Sequence, residues 1–175
     1  MKKIVIVCGL IGGLIVVLPM LLFTDACYKG GNYDGAMILG YASMLLAFSM
    51  VFVGTHNYRN KYNNGLISFG KAFKVGIFIV LVASTLYVIA WLINYYLYMP
   101  DFAEKYGAHM IDKLKASGAS QAKIDKTTQE MADFAKMYKN PVIVILFTYL
   151  EILPVGLLVT LVSSLILKRK QPVAA

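Results

Sequence analysis

From Pro141 to Leu167 the chain is a continuous apolar run with a single charge, Glu151. About 20 apolar residues carry a helix across a ~30 Å hydrocarbon core. Lipid offers backbone groups no partners, so such a run must satisfy its own as a helix. Pro141 suits the first helical position, where its missing N–H costs nothing. Lys168, Arg169 and Lys170 stop the run. Glu151 lies at ~15 Å from the start of the run, near the bilayer midplane. A charge there costs about 2.5–3.5 kcal/mol on insertion scales. Glu151 is therefore expected to face other helices and to be either protonated or paired. Pro154 leaves the carbonyl of Leu150 without its helical donor. Gly156 offers a place for a neighbouring backbone to approach. Glu151, Pro154 and Gly156 thus form the expected intramembrane polar site.

Three more apolar runs have spanning length. Residues 4–23 follow Lys2 and Lys3. A secretory signal also starts with basic then apolar residues, but this run is long for one. Thr24 and Asp25 make a poor lipoprotein box before Cys27, so the segment is expected to be retained. Gly9 and Gly13 form a GxxxG pair that permits close helix contact, and Pro19 would kink the far end. Residues 24–35 read as a polar loop with turn chemistry at 30–32. Residues 36–53 make the second span, and the polar run 54–65 a second loop. Ser68 is the expected N-cap of a third helix, with residues 72–99 inside lipid. Trp91, Tyr95, Tyr96 and Tyr98 read as an aromatic belt where it leaves, and Asn94 as an interfacial contact. Met99-Pro100 ends it.

Residues 101–139 hold seven lysines and six acids, the one sizeable water-soluble piece. Phe102, Tyr106, Met110 and Leu114 recur at helical spacing. Ser117-Gly118 is a stop, and Ser120 caps a second helix with Ile124, Thr128, Met131, Ala135 and Tyr138 on one face. The expected fold is all-α: one integral domain over residues 1–175, a four-helix transmembrane bundle with an extracytoplasmic helical hairpin between helices 3 and 4. The composition agrees, with 59% hydrophobic and 15% charged residues. Soluble proteins carry about 25% charged residues.

Lys2, Lys3, Arg59, Lys61, Lys71, Lys74, Lys168, Arg169 and Lys170 fall on one side of four spans, with no acid. The positive-inside rule puts both termini in the cytoplasm. Arg59, Lys61, Lys71, Lys74, Lys168, Arg169 and Lys170 are expected to meet lipid headgroups, each contributing ~1 kcal/mol. His56 and Asn57, beside Arg59, read as interfacial anchors, and Asp25 as a solvated loop acid near Lys29. The hairpin is nearly neutral, which argues against nucleic acid. Cys8 and Cys27 are too few for a disulfide framework. His56 and His109 have no partner at metal-ligand spacing, and no nucleophile elbow or phosphate loop occurs. No metal, cofactor or catalytic residue is expected.

The run GLISFGKAFKVGIFIVLVASTLYVIAW resembles the signature of a bacterial membrane family, domain of unknown function 4199, found mainly in Bacteroidota. NYRN before it, YKNP, and the final LEILPVGLLVTLVSSLILKRK are similar too. The resemblance implies a four-helix inner-membrane protein and brings no catalytic residues. The expected function is a structural or accessory subunit, not an enzyme, binding a membrane or periplasmic partner or a further copy of itself. The alternative is a small oligomeric transporter or channel. Glu151 would then be its proton or cation site, helped by Tyr149, Thr148 and Ser84 or Thr85. A role for Glu151 in bonding across helices is preferred.

Overall fold

A computed structural model describes residues 1–30 and 33–169. The turn read at 30–32 lies partly outside them, and Lys170 wholly so. The described residues form six helices and no strand: α1 (Lys2–Gly30), α2 (Tyr33–Tyr62), α3 (Phe69–Tyr98), α4 (Phe102–Ala116), α5 (Gln121–Met137) and α6 (Pro141–Leu167). Four of them are long and apolar enough to cross a membrane: α1, α2, α3 and α6. Several boundaries follow the local chemistry. Ser68 Oγ accepts the Lys71 N–H at 3.4 Å. Asn140 Oδ1 accepts the Val142 N–H at 3.0 Å, with Pro141 next to it. Ser120 stands at the start of α5 without a side-chain cap bond. Gly118 takes φ +70° after α4, where a side chain would be strained.

Two connections are shorter than the sequence suggests. α1 continues through residues 24–30, and α2 continues to Tyr62. Polar residues there keep the helical backbone bonds while their side chains find local partners at i,i+4 spacing. Asp25 pairs with Lys29 at 2.9 Å. Asn60 Nδ2 lies 3.2 Å from His56 Nε2. The actual turn is at Asn64 (φ +49°) and Gly65 (φ +77°).

α2 and α3 pack on each other, and each packs on both α1 and α6. Glycines set how closely. A Cβ at Gly9 would lie 2.6 Å from Val82, and one at Gly13 2.5 Å from Leu86. The GxxxG face is therefore the α1–α3 contact. A Cβ at Gly12 would lie 3.0 Å from the Ala47 carbonyl. Gly76 faces Thr160 and Val51, and Gly156 faces Val80 and Phe48, all within 3.0 Å of such a Cβ. Gly54, expected in a loop, sits inside α2 against Ile79 and Cys8.

One end of the bundle is tied by backbone. Ile67 and Arg169 exchange two hydrogen bonds, 3.0 and 2.8 Å. Arg59 Nη1 donates to the Leu167 carbonyl at 3.3 Å, satisfying a group that the end of α6 leaves open. At the other end α4 and α5 touch where Gly107 meets Met131. Ala103, Met99 and Tyr138 are buried there, so the segment rests on the ends of the spans.

Candidate functional site

A cavity of about 470 Å³ lies in the half of the bundle nearest α4 and α5. All six helices contribute: Met20 from α1, Tyr41 from α2, Tyr87 from α3, Phe102 from α4, Phe134 from α5 and Glu151 from α6. Trp91, Phe102 and Tyr138 line it, while the close contacts of Gly12 with Ala47, Gly76 with Thr160 and Gly156 with Val80 lie outside its lining.

These aromatic side chains form one connected wall. Trp91 Nε1 donates to Tyr138 Oη at 2.9 Å, and Phe102 meets Trp91 edge-on at 5.1 Å. Tyr138 meets Tyr95 edge-on at 5.2 Å. Burial pushes the Tyr138 phenol up to about 12, opposed by the hydrogen bond from Trp91. Trp91 and Tyr95 are buried in protein, so they are not the lipid-facing belt expected from sequence. Tyr96 and Tyr98 stay exposed. Asn94 is buried as well, and its Nδ2 has no partner among the described residues.

A clasp ties the end of α1 to the start of α4. Tyr28 Oη donates to Asp101. Lys105 Nζ lies 3.2 Å from the same carboxyl. That ammonium also sits 3.7 Å from the centre of the Tyr28 ring, in cation–π contact. The Tyr28 hydrogen bond holds the Asp101 carboxyl below its usual range, and Lys105 adds to this. Tyr28 and Asp101 are 73 residues apart, so no sequence pattern links them.

The expected polar site is split by the helix. Glu151 borders the cavity, and its side chain keeps accessible surface there instead of packing against another helix. Gly156 is buried against α2 and α3 on another face, and Pro154 is exposed. Five residues along a helix turn a side chain by ~140°. The suggested helpers of Glu151 are engaged elsewhere. Thr85 Oγ1 and Tyr149 Oη are 2.9 Å apart, and Thr148 Oγ1 donates to the Val144 carbonyl at 2.7 Å. Ser84 Oγ is buried with no partner among the described residues. The Glu151 carboxyl has no hydrogen-bonded or ion-paired partner among the described residues either. Tyr87, which sequence reasoning passed over, is an electrostatic neighbour of Glu151. The signal available was only that Tyr87 is a tyrosine deep in an apolar run.

The basic residues cluster at the tied end. Lys71 Nζ donates to Asn63 Oδ1 at 2.9 Å and lies over the Tyr58 ring. Arg59 Nε donates to Asn60 Oδ1 at 3.0 Å. Lys61, Lys74 and Lys168 are exposed, and Arg169 lies in the backbone pairing with Ile67. Among the described residues no group of His, Cys, Asp and Glu could hold a metal ion.

Compared with known proteins, residues 7–169 match a family described as protein of unknown function, DUF4199. No curated protein and no solved structure matches the chain.

Proposed function

We propose that this chain, which belongs to the DUF4199 family, is an accessory subunit of a bacterial inner membrane, with both termini cytoplasmic. Its α4–α5 segment is then an extracytoplasmic hairpin that meets a membrane or periplasmic partner. One observation favours the accessory role over transport: beyond the cavity the helices pack closely. A Cβ at Gly12 would lie 3.0 Å from the Ala47 carbonyl, one at Gly76 2.7 Å from Thr160 and one at Gly156 2.4 Å from Val80. α5 buries none of its residues fully, so it has surface to offer a partner.

A photo-crosslinking residue at Gln129, exposed on α5, should capture one defined partner in native membranes. The same residue at Leu158, exposed in the middle of α6, should capture none. Vesicles holding the purified protein should pass neither protons nor sodium. A flux present in wild type and lost in Glu151→Gln would overturn the accessory reading in favour of transport.

The orientation rests on nine basic residues and no acid on one side of the four spans. The pairing of Arg59 with Leu167 and of Ile67 with Arg169 supports grouping these segments at one end. A periplasm-active reporter inserted at Ser117 should be active, and one fused after Arg169 silent. The opposite pattern would invert the topology.

A further inference from the structure

The cavity carries two polar groups that the protein itself does not satisfy. Tyr87 is only 7% exposed, and its hydroxyl has no hydrogen-bond partner among the described residues. The Glu151 carboxyl is the second, reachable from the cavity and equally without a partner there. Both border the same space. His109 and Lys113 line it too, each already engaged in an interaction of its own, and most of the remaining wall is aromatic or methionine. A carboxylate in apolar surroundings needs an opposite charge. Aromatic faces attract cations. A volume of about 470 Å³ is that of a site for a small organic molecule.

We propose that this cavity binds an amphiphilic organic cation, with its ammonium-type head against Glu151, Tyr87 and the neighbouring rings, and its apolar body along Met20, Met44 and Phe134. This goes beyond the accessory role and does not depend on it. The head can belong to a free amine or to an aminated lipid.

Trp91 is the single tryptophan of the chain and lines the cavity, so its fluorescence reports occupancy. The probe is N-octylpyridinium, a cationic quencher, titrated into protein in phosphatidylglycerol nanodiscs. Quenching should saturate in wild type. Glu151→Gln should weaken it about tenfold or more. Gly40→Leu gives a second route that leaves the carboxyl in place. Gly40 borders the cavity, and no heavy atom lies within 4 Å of a Cβ built there, so the leucine side chain can start from this position into open space. It should also abolish saturable quenching. Neutral 4-octylpyridine N-oxide should bind about tenfold more weakly than the cation, or weaker still. Quenching that is unsaturable and equal in all three proteins, or equal for the cation and the neutral probe, overturns the proposal. With phosphatidylethanolamine added, competition against the probe assigns the head to lipid, and unchanged saturable quenching assigns it to a free amine. A failed partner crosslink at Gln129 would leave these binding curves unaffected, so the two readings fail separately.

Discussion

Gly156→Val is expected to destabilise the bundle by about 1–3 kcal/mol at least, since inserting carbons into a packed core forces backbone shifts. The Cβ alone would overlap Val80 Cγ1 and lie 3.0 Å from Phe48 Cζ. Val80 and Phe48 are themselves fully buried, on α3 and α2. Neither can swing aside into open space, so α6 must move away from both helices. Thermal unfolding in a mild detergent measures the loss. Gly70→Val is the control, because nothing lies within 4 Å of a Cβ at Gly70, although it too sits in a helix. Equal unfolding temperatures for the two variants would mean that the α2–α3–α6 contact contributes little.

Trp91→Ala should cost about 3–5 kcal/mol, the usual range for deleting a buried aromatic side chain. Three contacts go at once: the edge-on packing of Phe102, the stacking on Tyr95 at 6.4 Å, and the hydrogen bond to Tyr138. Loss of the last takes the Trp91 donor from a buried phenol, leaving it Thr148 as a neighbour. Trp91→Phe separates these effects. It keeps most of the packing and loses the hydrogen bond, so a cost of about 1 kcal/mol is expected. Proteolysis of the 101–139 segment gives a second readout, because Trp91 anchors that segment through Phe102 and Tyr138. Faster cleavage in Trp91→Ala than in Trp91→Phe is the expected order. Identical rates would mean that the segment is held without Trp91, by contacts such as the Tyr28–Asp101–Lys105 clasp and the packing of Tyr138 on Tyr95.

The four long apolar helices are legible in the sequence because length and apolarity alone mark them. Ser68, Pro141 and the stop at Ser117-Gly118 are legible because caps and turns are local chemistry. Residues 24–30 and 54–62 read as loops, yet they are helical, for a related reason. Glycine and asparagine often break helices in water, but Gly54 here fits where α2 approaches Ile79 and Cys8. Its lack of a side chain serves packing, not a turn. Which way Glu151 faces is beyond the sequence. α6 is apolar on all sides, so its periodicity marks no inward face. The depth of Glu151 follows from counting residues, but the cavity beside it depends on where Trp91, Phe102 and Tyr138 meet. Those residues come from distant parts of the chain.

The backbone pairing of Ile67 with Arg169 has a mechanical consequence. Sliding α6 along its axis by even one residue would break both hydrogen bonds and pull the Leu167 carbonyl from Arg59. Piston motion of that helix is therefore opposed by main-chain bonds, not only by side-chain friction. The far end has no such backbone rivet among the described residues; it is held by rings and a clasp of side chains. A tilt of α6 about the riveted end keeps these bonds, as the blade of a fan keeps its pin, whereas a slide along its axis breaks them.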